Sequence, residues 1–264
     1  MTDQAAPQAR ANVARIPAYV AGRPPTVQPG VTSYKLSSNE NPYPPLPGVV
    51  EAAVAAVAVM NRYPDMGSTA LYAALSEWLG VPVSDLAVAT GSVALLYQLP
   101  TAFCEPGDEV VYAWRSFEAY PIAVTAAGAV SVQVPVLADG RHDLSAMAAA
   151  ITERTRIVMV CTPNNPTGPS VTQSELDAFI AAVPSHVVVV VDEAYVEFVS
   201  MDDAVDGLAT YRAHPNVVLF RTFSKAYGLA GFRVGYAVAH ASIAAALRAV
   251  SLPFGVNAVA QAAA

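Results

Sequence analysis

Residues 187–191 are five consecutive valines, and they run straight into Asp192. Such a β-branched run has no polar face to offer water, so it suits a strand buried on both sides. A strand of that kind needs a layer of helices on each face of its sheet. The chain supplies the alternation that builds one. Strands are read at 86–90, 109–114, 129–136, 156–161, 216–222 and 233–239, beside the valine run. Helical segments are read between them at 93–103, 117–127, 144–151 and 172–183, the last with Thr172 as cap and an acidic first turn. Two more helices are read at 49–60 and 68–79. The expected fold class is α/β, a mostly parallel sheet with helices on both faces.

At 264 residues the chain suits one large domain or two small ones. Residues 1–38 are read as an N-terminal arm and residues 39–264 as one large domain. Within 37–48, four prolines make a rigid, irregular segment. Apolar residues make up 54% and charged residues 13%, which excludes a disordered chain and points to a buried sheet plus an oligomer interface. A net charge of −7, with no run of lysine or arginine, argues against a nucleic-acid partner.

The uncharged stretch 119–138 is interrupted by Pro121, Gly128 and Pro135. It reads as a short helix, a glycine turn and a strand rather than a membrane span. The first residues lack the apolar core of a secretory signal, so a cytoplasmic location is expected. Cys104 and Cys161 read as buried small hydrophobes. His142, His186, His214 and His240 show no metal-ligand spacing, so no metal is expected. The sequence stops in an alanine-rich helical pattern without a closing cap, which reads as the front part of a longer protein.

In parallel α/β sheets ligands bind beyond the carboxyl ends of the strands, and several strand ends here carry reactive or anion-binding groups. Gly91, Ser92 and Val93 open a helix after the first strand, where backbone N–H groups can hold a phosphate. Phe117, in the segment WRSFEAY, offers either a flat face for ring stacking or ordinary core packing. Asn165, pinned between prolines in TPNNPTG, can aim its amide at a fixed target or simply make a turn. Asp192 either caps the next helix or sits beside a pyridine nitrogen and keeps it protonated. Tyr195 follows three residues later.

The stretch 221–236, RTFSKAYGLAGFRVGY, sets Ser224 and Lys225 eight residues ahead of Arg233, among glycines. A lysine that forms an imine with a phosphate-bearing aldehyde needs a hydroxyl donor and a fixed cationic fork nearby. Glycines let backbone approach the bulky group. This pattern looks like the Schiff-base lysine of a pyridoxal-phosphate enzyme.

The order of these pieces resembles the fold-type-I aminotransferases of class I and II, and within them the histidinol-phosphate aminotransferase family. The matching segments are Ser38-Asn39-Glu40-Asn41-Pro42, Arg62-Tyr63-Pro64-Asp65, PNNPTG, DEAY and TFSKAYGLAGFRVGY. The resemblance implies pyridoxal 5'-phosphate as cofactor. Lys225 would hold it as a Schiff base, Asp192 would partner its ring nitrogen, and Asn165 and Tyr195 would meet its 3′-oxygen. Phe117 would stack on the ring, and Ser92, Val93, Ser224 and Arg233 would form the phosphate cup. Tyr63 would reach the phosphate of the neighbouring subunit of a homodimer, and Asn41 would lie near the substrate.

The same resemblance implies a smaller C-terminal domain with an arginine for the substrate's carboxylate or phosphate. That domain is missing from this chain, which ends at Ala264. The segments GSVALLYQL and WRSFEAYP look like the aromatic, phenylalanine-type branch. Histidinol-phosphate members more often carry a Pro-Thr/Ser-Tyr/Phe segment where Arg115-Ser116-Phe117 stands here. The implied activity moves an amino group between an aromatic amino acid and 2-oxoglutarate. The alternatives are a histidinol-phosphate aminotransferase of histidine biosynthesis and a truncated fragment that folds without turnover. A dinucleotide-binding dehydrogenase fits poorly, because Gly228, Gly231 and Gly235 precede a strand with the wrong spacing.

Overall fold

A computed structural model describes residues 6–20, 22–23 and 25–264. The arm expected over 1–38 therefore lies partly outside the described residues. The elements follow in the order α1 (Val49–Val57), α2 (Thr69–Leu79), β1 (Leu86–Ala89), α3 (Ser92–Phe103), β2 (Glu109–Trp114), α4 (Ala119–Ala127), β3 (Val130–Pro135) and α5 (Leu144–Ala149). Then come β4 (Thr155–Cys161), α6 (Gln173–Ala182), β5 (Val188–Asp192), α7 (Gly207–Ala213), β6 (Val217–Thr222), β7 (Gly235–Ala239), α8 (Ala241–Ala249) and α9 (Ala258–Ala263).

The strands form one seven-stranded sheet in the order β1-β7-β6-β5-β4-β2-β3. β2 pairs in parallel with β3 and β4, β4 with β5, and β5 with β6. β7 alone runs antiparallel, to both β1 and β6. Its start therefore lies at the same sheet edge as the ends of β1 and β6, a consequence that shapes the site described below.

The valine run lies where its chemistry requires. Val189 and Val191 pack into one core with Leu71, Leu75, Leu176 and Phe179, from α2 and α6. Val188 and Val190 pack into the opposite core with Leu95, Leu99, Tyr120 and Leu247, from α3, α4 and α8. Alternate residues of a strand face opposite ways, so both sides of β5 are covered by helices. The uncharged stretch resolves into α4, a left-handed turn at Gly128 and β3. No helix among the described residues is long and apolar enough to cross a membrane.

Thr172 caps α6 through a reciprocal box: its hydroxyl accepts from the Glu175 N–H, and Glu175 accepts from the Thr172 N–H. Several details differ from the expectation. Cys161 is buried, but Cys104 is only half-buried, because it lies just past the last turn of α3. The helix expected from Phe117 begins at Ala119, which leaves Phe117 in the preceding loop and free to face a cleft. The strand expected from Arg233 begins at Gly235, since Arg233 adopts a left-handed conformation (φ 59°) that no strand accepts. Helices α7 and α8 were not foreseen; Asp206 caps the first, and Ile243, Ala244 and Leu247 bury one face of the second.

Candidate active site

One cleft at the carboxyl edge of the sheet gathers Ser92, Val93, Phe117, Asn165, Asp192, Tyr195, Ser224, Lys225 and Arg233. Each stands at or just past a strand end, except Arg233, which precedes the antiparallel β7. The direction of β7 thus brings Arg233 against the turn that follows β1. That turn is built for close approach. Gly91 has φ 80° and ψ 158°, a conformation open almost only to glycine, and a Cβ there would overlap the Arg233 guanidinium. Gly235 is packed equally tightly: a Cβ would lie 2.5 Å from the Ser92 nitrogen and 2.9 Å from the Arg221 carbonyl.

The result is a cationic pocket. Helix geometry leaves the N–H groups of Ser92 and Val93, in the first turn of α3, without partners inside the helix. Arg233 Nη1 donates to Ser224 Oγ at 3.3 Å and to the Ala230 carbonyl at 3.1 Å. Helix dipole, guanidinium and hydroxyl converge on one small region, a donor set suited to a phosphate dianion.

Asp192 ends β5 deep in the cleft, 5% exposed. Its Oδ2 accepts from the Tyr120 hydroxyl at 2.7 Å and its Oδ1 from the Ala194 N–H at 3.2 Å. Burial pushes the carboxyl up, and these two hydrogen bonds pull it back down. The expected alternative, a helix cap, is met only as the local bond to Ala194 ahead of the short turn Val196–Phe198.

Lys225 follows β6. Its Nζ donates to the Ser38 carbonyl at 2.9 Å and to the Asn39 carbonyl at 3.3 Å, and lies 5.6 Å from the centre of the Tyr195 ring. Burial holds this amine below the usual lysine range, and Arg233 pushes the same way. Tyr195 accepts a hydrogen bond from Asn39 Nδ2 at 2.9 Å. The segment around Ser38 and Asn39 thus reaches across the cleft and holds both lysine and tyrosine. Tyr19, Val20 and Glu40 also line the cleft.

Beneath the floor, Asn164 ties two site loops together. It accepts from Ser116 Oγ at 2.7 Å, and its amide donates to the Arg115 carbonyl at 3.0 Å and to Thr167 Oγ1 at 2.7 Å. The neighbours Phe117 and Asn165 are held in register by this one buried amide. Tyr120, Ser116 and Asn164 were not singled out in the sequence. Tyr120 is one turn after Phe117, and that spacing is the signal that could have found it.

Asn41, expected near the substrate, lies outside this cleft, while Tyr63 is expected at the neighbouring subunit's site and not at this one. Asn41 Nδ2 donates to the Ala226 carbonyl at 2.8 Å, so Asn41 braces the lysine loop from outside. Tyr63 is exposed and stacks on Phe254 with ring centroids 4.8 Å apart.

The residues present fit a pyridoxal-phosphate group: an anion cradle, a buried carboxylate, and a lysine amine without a carboxylate partner beside an aromatic ring. A profile described as aminotransferase class I and II matches residues 32–264. A Streptomyces avermitilis protein named aromatic amino acid aminotransferase is 56% identical over 258 residues, 98% of this chain and 72% of that protein. Its namesake from Streptomyces coelicolor is 57% identical over 261 residues, 99% of this chain and 72% of that protein. Among solved structures, a histidinol-phosphate aminotransferase from Sinorhizobium meliloti in complex with pyridoxal-5'-phosphate superposes with a TM-score of 0.80 at 32% identity. The match covers 86% of this chain and 61% of that one.

Proposed function

Because the chain belongs to the class I and II aminotransferase family, we propose that it acts as a pyridoxal-phosphate-dependent aromatic amino acid aminotransferase. The reaction moves an amino group between an aromatic amino acid and 2-oxoglutarate. The observation that carries the chemistry is the convergence of Lys225, Asp192 and the Arg233 cradle in one cleft. The substrate class rests on the naming of relatives that are 51–57% identical to this chain over the matched region.

Pyridoxal phosphate supplies an electron sink for the pair left when a bond to the substrate's α-carbon breaks. The protein's residues do the rest. Ser92 and Val93 N–H, Ser224 and Arg233 would bind the phosphate. Asp192 would hold a proton on the ring nitrogen, and Phe117 would pack on the ring. Asn165 and Tyr195 would orient the 3′-oxygen. Lys225 Nζ would carry the covalent attachment and, when not so bound, would take and return the substrate's α-proton, as an amine whose neutral form is favoured by burial. Residues 39–264 make up the cofactor-binding unit and residues 1–38 its arm.

The working form is a homodimer in the cytoplasm, serving amino acid biosynthesis, in which Tyr63 reaches the neighbouring phosphate. Support for the dimer is a run of exposed apolar side chains on and after α1, Val50, Val54, Val57 and Met60, on the same stretch of chain as the exposed Tyr63. The test is kcat/KM for phenylalanine, tyrosine and histidinol phosphate with 2-oxoglutarate. A tenfold preference for histidinol phosphate, about 1.4 kcal/mol, refutes the aromatic assignment. Binding of the cofactor with no turnover of any donor identifies the chain as a non-catalytic fragment.

A further inference from the structure

Tyr120 is fully buried in the first turn of α4, and its role is set by four contacts. Its hydroxyl donates to Asp192 Oδ2 at 2.7 Å. Its ring stands edge-on to Phe117, centroids 5.9 Å apart, and to Tyr112, 5.5 Å apart. Its backbone N–H donates to the Phe117 carbonyl at 3.0 Å. One residue therefore touches both the aromatic of the cleft and the carboxylate deep within it.

The neighbours of Asp192 make this contact decisive. From β4 it meets Cys161, its partner in register, and from β6 it meets Phe220. Tyr195 lies just downstream, and Lys225 shares the cleft but bonds to backbone carbonyls instead. Among the described residues no cation forms an ion pair with Asp192, and Tyr120 is its one side-chain hydrogen-bond donor. Arg221, nearest along the adjacent strand, is spent on Glu193 at 2.7 Å. A buried carboxylate without a cation depends on neutral donors to remain charged. Burial, and after it the neighbouring Asp192, push the Tyr120 phenol well above its ordinary range, which favours its role as a donor.

We propose that Tyr120 is a positioning residue that orients Asp192 and keeps the shared proton on the cofactor's ring nitrogen rather than on the carboxyl oxygen. The proposal rests on the cofactor reading above. Two positions compete for one proton between nitrogen and Oδ. A hydrogen bond donated to the carboxylate favours the charged carboxylate, and so places the proton on nitrogen.

The test is the nitrogen-15 chemical shift of ring-labelled pyridoxal phosphate bound to the 264-residue chain and to Tyr120→Phe, Asp192→Asn and the double variant. The wild type is expected to show a protonated ring nitrogen and Asp192→Asn an unprotonated one. In Tyr120→Phe the shift should move toward the unprotonated value, an equilibrium change of about tenfold or more for loss of a bond to a charged group. The double variant should match Asp192→Asn, because Tyr120 acts through Asp192. Phenylalanine keeps the ring contacts, and thermal melting of the cofactor-free variants checks that the fold survives. The cofactor dissociation constants give a second readout with the same expected non-additivity. Tyr120→Phe spectra that superimpose on wild type, or effects that add in full to those of Asp192→Asn, overturn the proposal. A wild-type chain that takes up no pyridoxal phosphate, or an Asp192→Asn chain with an unchanged ring nitrogen, instead overturns the cofactor reading and the proposal with it.

Discussion

Replacing Gly91 by alanine tests the cradle at its tightest point. The residue has φ 80° and ψ 158°, where a side chain costs about 1–3 kcal/mol of backbone strain. The new methyl group also enters the space of the Arg233 guanidinium, with Cζ only 3.1 Å away. Arg233 is solvent-exposed, so it can swing outward, and the methyl displaces it rather than unfolding the sheet. That motion breaks its 3.3 Å bond to Ser224 and withdraws one charge-assisted contact from the phosphate. A hydrogen bond to a charged group is worth about 1.5–3 kcal/mol. Solvent access places this one near the lower end, and about 1.4 kcal/mol is tenfold in affinity.

Gly91→Ala should therefore weaken pyridoxal phosphate binding about tenfold or more. Urea unfolding of the cofactor-free chain should show a loss of about 1–3 kcal/mol from backbone strain. The two effects separate in a cycle with Arg233→Ala, which removes the cationic contact and the clash together. In that background Gly91→Ala should cost stability but add little to the affinity loss. An unchanged dissociation constant in Gly91→Ala, or full additivity in the cycle, would refute the reasoning.

The rate at which Lys225 captures the cofactor should rise with pH and level off at a midpoint below 10.5, since the neutral amine is the nucleophile and burial and Arg233 both lower its pKa. Arg233→Met should move that midpoint upward, and Lys225→Ala should abolish borohydride-reducible attachment; stopped-flow absorbance and mass spectrometry read these out. Thr172→Ala should cost about 0.5–2 kcal/mol in urea unfolding through loss of the α6 capping box, with cofactor affinity unchanged. Mixed dimers of Lys225→Ala and Tyr63→Phe subunits should recover activity that neither parent shows, by regenerating one site with both native groups. A strictly monomeric active protein contradicts the role given to Tyr63.

Much of this architecture is legible in the sequence because it rests on local chemistry. The valine run suits a buried strand, and Val188–Val191 form one, while Thr172 with Glu175 can close a capping box without help from distant residues. Ser92, Phe117, Asn165, Asp192 and Lys225 could be grouped because each follows a strand, and parallel strands deliver their carboxyl ends to one edge. Strand direction itself is not written locally. The antiparallel course of β7 is fixed by its pairing with both β1 and β6, and only that course brings Arg233 to the turn at Gly91. Tyr120 was missed for a similar reason: its partner Asp192 is 72 residues away, and the contact exists only once α4 docks on the sheet. The carbonyls of Ser38 and Asn39 leave no sequence signal, since every residue has one.

The site keeps its charges apart, and that separation explains how a lysine and a carboxylate can share a small cleft yet stay available. A direct ion pair between Lys225 and Asp192 would stabilise the ammonium and occupy the carboxylate. Among the described residues neither makes one. Asp192 is held by a phenol and a backbone N–H, both neutral. Lys225 is held by two backbone carbonyls, and Glu40, the carboxylate that pulls its pKa upward, is itself bound to Lys35 at 2.7 Å. Burial and Arg233 oppose that pull and act more strongly. Among the described residues Arg233 likewise forms no ion pair, and turns instead to a hydroxyl and a carbonyl. Each charged group is therefore oriented by neutral partners that leave its charge uncompensated. A ligand bearing a phosphate, a basic ring nitrogen and an aldehyde completes all three at once.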